Sequence, residues 1–310
     1  MDILGLSRRS GFTLVEVLVS SAVLAMLLGM LAWATTFSLS TVGRAEAKID
    51  QFAAARAGFD RLTATLSQAT LNTYWDYDKP AEPTKYVRKS DLHFLLEAGP
   101  RGGHAVYFQA PLARGVQEGT AGLLNAVGYS VDFSENVWRP RPRVTQPRWR
   151  YRLMQGIQPS ENLSVFNDPP TSTRWKTALG DPTQAAFPLA ENVIAMVLWP
   201  RLPQSQDPQG TQLSPNFLYD SRAGTPVQSA QLPPEIQVTL IVIDEASASR
   251  MDLGNLPPTV ISNALAGRFA LAADFERDLA AVQNQLTAAG VNHLVLSSSV
   301  VLRESKWSTQ

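Results

Sequence analysis

RRSGFTLVEVLVSSAVLAMLLGMLAWA, residues 8–34, joins two arginines and a Ser-Gly break to a long apolar run holding one carboxylate, Glu16. From Phe12 to Ala34 there is no other charge, and about 20 apolar residues are what a helix needs to cross a bilayer. Residues 12–34 therefore read as a transmembrane helix. A secretory signal would show an apolar core of only about 7–15 residues followed by a small-residue cleavage site. Here the run is longer and the break precedes it. Arg8 and Arg9 place that end in the cytoplasm by the positive-inside rule, so the bulk of the chain is expected to be exported. A carboxylate in hydrocarbon costs roughly 2.5–3.5 kcal/mol, so Glu16 calls for a partner charge or a proton.

Ser10-Gly11-Phe12-Thr13-Leu14-Val15-Glu16 resembles the N-terminal signature of type IV prepilins and of the pseudopilins of type II secretion. The resemblance implies that a prepilin peptidase/N-methyltransferase cuts after Gly11 and methylates the new terminus, Phe12. It also implies that Glu16 neutralises the terminal amine of a neighbouring pilin-like subunit during assembly. Taken as bare residues, two plainer readings stand beside it: a carboxylate snorkelling or protonated near the interface, and a simple signal anchor. Both still make a membrane protein.

At 310 residues the chain has room for one large domain or two small ones besides its anchor. Lys plus Arg and Asp plus Glu number 27 each, so no global field draws it toward nucleic acid or acidic lipid. Any basic site is local. The absence of cysteine excludes disulfides, thiolate catalysis and thiolate metal ligands.

Helical sequence continues past the apolar run. No proline occurs between Ala34 and Pro80, and Ile49, Phe52, Phe59, Leu62 and Leu66 recur at the spacings of an amphipathic helix. The helix is expected over about residues 13–70, with Gly29, Gly43 and Gly58 as points of local weakness. Beyond Leu71 the texture turns to short β-like runs separated by proline and glycine. Strands are expected at 91–96, 105–109, 127–133, 148–154, 193–199, 236–244 and 293–302, with one late helix over 268–289 whose apolar face is Leu271, Phe275, Leu279, Val282 and Leu286 and whose stop is Gly290. Residues 76–84, 168–182 and 200–234 read as loops, the last a proline-rich mobile surface excursion. The expected organisation is a leader at 1–11, a transmembrane helix at 12–34, its amphipathic continuation at 35–70 and an exported domain at 71–310. The fold class is α+β, a long N-terminal helix packed on antiparallel sheet.

The sharpest local charge is WRPRPRVTQPRWRYRL, residues 138–153, with Arg139, Arg141, Arg143, Arg148, Arg150 and Arg152 beside Trp138, Trp149 and Tyr151. Arginines interleaved with aromatics suit phosphate contact and base stacking on single-stranded nucleic acid. Period-two alternation instead puts Arg148, Arg150 and Arg152 on the solvent face of a strand and Trp149 and Tyr151 in the core. A third reading sets these arginines against acidic groups of a partner subunit. Asp76, Asp78 and Glu82 lack the dense Asp/Asn/Gly loop of a calcium site and read as a solvated turn. His93, His104 and His293 show no metal-ligand spacing, and no phosphate-loop, nucleophile-elbow or dinucleotide motif is present. Neither catalysis nor a cofactor or metal is indicated.

Two finer resemblances lie in the exported part. AENVIAMVLWPRLP (190–203), NFLYDSR (216–222) and QLPPEIQVTLIVID (231–244) are similar to the J-type minor pseudopilins of type II secretion. NTYWDYD (72–78), RWRYRLMQGIQPSENL (148–163) and LRESKW (302–307) more closely resemble a prepilin-type group called Verru_Chthon cassette protein C. The implied function is a noncatalytic minor pilin or pseudopilin of a type IV pilus-like or type II secretion-like filament or its tip. The alternative is a binding module on the same anchor, an adhesin or DNA-receiving minor pilin using residues 138–153.

Overall fold

The structure is a computed structural model that describes residues 14–112, 123–135, 148–167, 172–181, 185–223 and 227–308, with the side chains of 36–51 outside the description. It divides into two compact units, Met1–Asp50 and Gln51–Gln310. The first helix, α1 (Leu14–Leu66), begins in one and ends in the other.

In the first unit every described side chain from Leu14 to Thr35 is exposed. A helix apolar all round has no face suited to water. Leu14–Thr35, 22 residues with mean hydropathy 2.3, is long and apolar enough to cross a membrane. Two of its hydroxyls are satisfied within the helix, as an apolar solvent demands: Ser21 Oγ donates to Leu18 O at 2.9 Å and Thr35 Oγ1 to Leu31 O at 3.0 Å.

In the second unit, α1 buries Ala55, Phe59, Leu62 and Leu66, one stripe at spacings of four, three and four. Fully burying each of the large ones is worth about 1.5–3 kcal/mol. Gly58 lets the helix lie close to the sheet, since a Cβ there would sit 3.2 Å from that of Ala190. The strands are β1 (Tyr74–Tyr77), β2 (Tyr86–Lys89), β3 (Leu95–Ala98), β4 (His104–Pro111), β5 (Leu124–Glu135), β6 (Trp149–Gln158), β7 (Ala186–Glu191), β8 (Val193–Arg201), β9 (Tyr219–Asp220), β10 (Glu235–Ile243) and β11 (His293–Val301). Three further helices, α2 (Glu245–Arg250), α3 (Thr259–Leu265) and α4 (Phe275–Ala288), lie between β10 and β11. The fold is α+β.

Strand pairing within the described residues makes a β1–β2 hairpin, a three-stranded sheet β11-β10-β8 and a six-stranded sheet β7-β6-β5-β4-β3-β9. All pairs are antiparallel. On β5 the side chains alternate as the pleat requires. Val127, Tyr129, Val131 and Phe133 join the main core with α1 and the smaller sheet, while Ala126 turns to a second cluster with Leu92, Val165, Trp175 and Leu179. Gly128 and Gly156 are cross-strand partners and seat the 3₁₀ turn Arg174–Gly180. A Cβ on Gly156 would lie 2.0 Å from Leu179 O.

Six of the seven expected strands form with shifted ends; of 91–96 only the last two residues are strand, at the start of β3. β1, β2, β7 and β9 are additional: β1, β2 and β9 have four residues or fewer, and Pro188 interrupts the run of β7. The late helix starts at Phe275 rather than 268: Leu271 is exposed, outside the apolar face. Its stop is a Schellman motif. Gly290 sits at φ 66°, its N–H donates to Thr287 O at 2.9 Å, and Val291 N–H donates to Leu286 O at 2.9 Å, with Leu286 and Val291 both buried. Residues 200–234 differ most from expectation. Leu202, Leu213, Phe217, Tyr219 and Leu232 are core residues, β9 pairs with β3, and Asp207 accepts from Gly210 N and Gln212 N at 2.9 and 2.8 Å. Prolines bar a regular ladder there, yet the spaced apolar side chains still anchor the segment.

Candidate functional site

Glu16 lies in the first turn of α1 with its side chain exposed. Gly11 and Phe12, the expected cleavage and methylation positions, lie outside the described residues.

The arginine stretch folds otherwise than alternation predicts. Trp149 and Tyr151 do turn inward against Phe133, at ring-centroid distances of 5.8 and 5.0 Å. Arg150 and Arg152 are not on a solvent face: their side chains are 4% and 0% exposed, against 42% for Arg148. Carboxylates from distant segments surround them. Arg148 Nη2 donates to Glu191 Oε2 at 2.5 Å and Nη1 to Glu245 Oε1 at 3.1 Å. Arg150 Nη1 donates to Asp252 Oδ2 at 2.6 Å, and its Nη2 to Glu245 Oε1 at 3.0 Å and to Ser249 Oγ at 2.9 Å. Arg152 donates to Glu191 Oε1 at 3.3 Å and to the Ser134 carbonyl. Arg139, Arg141 and Arg143 lie outside the described residues.

This cluster sits at a corner. Glu191 ends β7 in the larger sheet, Val193 begins β8 in the smaller, and Asn192 turns the chain between them at φ 62°, a conformation asparagine tolerates. Asn192 Nδ2 donates to Glu245 Oε2 at 2.8 Å, which draws the start of α2 into the same network. Asp244 caps α2 by accepting from Ser247 N at 2.9 Å. Burial opposes the Arg150 charge, but Asp252 and Glu245 outweigh it and hold its pKa above the ordinary value. Burial likewise pushes the Glu245 and Asp252 carboxyls up, and the hydrogen bonds from Asn192, Arg150 and Ser249 to the first, and from Arg150 and Gly254 N to the second, carry both below their usual range. For Arg152 burial prevails over Glu191 and its pKa is lowered. Chemically the cluster is a charge-paired clamp, with Arg150 and Arg152 buried and their carboxylate partners partly exposed, that ties the larger sheet and the β7–β8 corner to α2. Its acidic half was missed in sequence because nothing local links residues 148–152 to 191, 245 and 252.

Two histidines are buried as hydrogen-bonded core groups. Trp175 Nε1–H donates to His93 Nδ1 at 3.1 Å, so the His93 proton is on Nε2 and faces Asp220 Oδ1 at 2.6 Å. Leu198 N–H donates to His104 Nδ1 at 3.0 Å. Asp76 and Asp78 are engaged by Lys89 and by the turn residues Thr84 and Lys85. Among the described residues no three His, Asp or Glu side chains are grouped to hold a metal.

With this geometry in place, comparison with known families returns one match: residues 6–32 match the family model described as the prokaryotic N-terminal methylation motif. No curated protein and no solved structure matches significantly. The motif, set on the apolar helix, supports a type IV pilin-like subunit, a class that is generally structural and noncatalytic. It implies processing by prepilin peptidase and assembly with other pilins, and with the Leu14–Thr35 helix it fits anchoring in the inner membrane.

Proposed function

We propose that this chain is a noncatalytic minor pilin or pseudopilin subunit of a type IV pilus-like or type II secretion-like filament or its tip. It is held in the inner membrane with a cytoplasmic leader and a periplasmic β-rich domain. A prepilin peptidase/N-methyltransferase cuts after Gly11 and methylates Phe12, and Glu16 pairs with the terminal amine of a neighbouring subunit. The observation carrying this reading is the methylation motif at 6–32 running into an apolar helix whose first turn holds Glu16. Within that class, likeness to the J-type and Verru_Chthon groups rests on the segments quoted above. The binding-module alternative draws no support from Arg148, Arg150 and Arg152, which carboxylates of this chain already engage.

Mass spectrometry of the native N-terminus tests processing. The expected result is a chain beginning at N-methylated Phe12, and Gly11→Val is expected to leave an uncut membrane precursor. An intact Met1 in cells with a working prepilin peptidase, or a cut near Ala34, overturns the reading.

A further inference from the structure

The β1–β2 hairpin has an aromatic face that the core does not use. In its register Trp75 pairs with Arg88 and Tyr77 with Tyr86, so these four side chains share one face. Trp75 is 62% exposed, Tyr77 42% and Tyr86 60%. Tyr77 and Tyr86 stack at 4.6 Å between centroids, with the Tyr86 hydroxyl donating to the Tyr77 hydroxyl at 2.9 Å. The Arg88 guanidinium stands 5.9 Å from the Trp75 ring centroid. The hairpin is braced elsewhere: on its other face Lys89 Nζ donates to Asp76 Oδ2 at 2.7 Å, and Asp78 accepts from Thr84 N and Lys85 N at 2.9 and 3.2 Å across the turn. The rings are thus preorganised, which lowers the cost of binding.

Size and charge select the occupant. Three aromatics exposed to this degree present on the order of 300–400 Å², the size of a functional patch and well short of the roughly 800 Å² per partner of a stable protein interface. Residues 72–91 carry four basic and four acidic side chains, so no net field selects phosphate. A flat, neutral ligand with apolar faces and polar edges suits a surface of this size and charge balance. We propose that Trp75, Tyr77, Tyr86 and Arg88 form a binding site for a neutral β-linked oligosaccharide. Its pyranose faces stack on Trp75 and on the outward ring faces of Tyr77 and Tyr86, and its hydroxyls meet the two tyrosine hydroxyls and the Arg88 guanidinium, whose Nη1 also donates to Ser308 Oγ at 3.0 Å.

The test uses the full chain in a zwitterionic detergent without a sugar headgroup, titrated with cellohexaose and with chitohexaose by calorimetry and tryptophan fluorescence. Saturable binding insensitive to salt is expected with at least one of the two. Trp75→Ala should weaken it about tenfold or more, equivalent to about 1.4 kcal/mol, and Trp75→Phe should retain most of it, with circular dichroism unchanged in both. Failure of both oligosaccharides to saturate overturns the proposal, as does wild-type affinity in folded Trp75→Ala. Self-association lost in Trp75→Ala without sugar binding overturns it in favour of a second copy. Salt-sensitive binding of a single-stranded oligonucleotide alone overturns it in favour of nucleic acid.

Discussion

At the scale of single residues, Glu16 separates assembly from anchoring. If it pairs with a neighbour's terminal amine in a low-dielectric bundle, removing it leaves a buried uncompensated charge, a loss of roughly 3–5 kcal/mol. Glu16→Ala is expected to insert into the membrane and be processed normally, yet fail to crosslink with partner subunits. Glu16→Asp should be partly defective, because a shorter side chain must reach the same amine. Wild-type crosslinking by the alanine variant would remove any assembly role. His104 gives a second single-residue test. Burial lowers its pKa from 6.5 to about 4. Between those values the unfolded chain binds more protons than the folded one, so stability rises with pH there. The contribution is full above pH 6.5 and lost as pH falls toward 4, at most roughly 3 kcal/mol. Denaturation midpoints across that window should fall on acidification, and His104→Asn, which keeps an acceptor for Leu198 N–H, should flatten the fall. His93, also lowered chiefly by burial, and the Glu245 and Asp252 carboxyls, held low by their hydrogen bonds, act in the same direction. An unchanged slope in His104→Asn would contradict the assignment.

At the scale of elements, the paired Gly128 and Gly156 decide where the 3₁₀ turn Arg174–Gly180 can lie. Gly156→Ala would drive a methyl into the Leu179 carbonyl, and such overpacking costs about 1–3 kcal/mol. A lowered denaturant midpoint with increased solvent access at Trp175, now 1% exposed, is the expected outcome. Gly180→Ala has open space around its new Cβ and should be near neutral. Equal midpoints in the two variants would show that the turn does not rest on this seat.

At the scale of the whole molecule, the division at Gln51 predicts that a fragment beginning there folds by itself. It keeps the α1 residues Ala55, Phe59, Leu62 and Leu66 that complete the core, and it holds no cysteine. We expect a soluble fragment with an α+β circular dichroism spectrum and a midpoint unaffected by reducing agent. A spectrum of disorder, or of helix without strand, would show that residues 1–50 are needed for folding.

The amino-acid sequence by itself determined what depends on neighbours along the chain. The membrane-length helix follows from an apolar run whose only charge is Glu16, the methylation motif from the contiguous residues 6–32, and the long strands from the β-rich runs between turn residues. The α1 stripe and the stop at Gly290 belong to the same class, because helical period and left-handed φ are local properties. Tertiary structure alone decided the fate of the arginines, since Arg150 meets Glu245 across 95 positions and no local pattern records such a partner. It also drew Leu213 and Phe217 of the proline-rich segment into the core and made β9 from two residues. Burial and ion pairing are set by which surfaces the fold brings together, and period-two alternation specifies only the side of a strand, not what covers it.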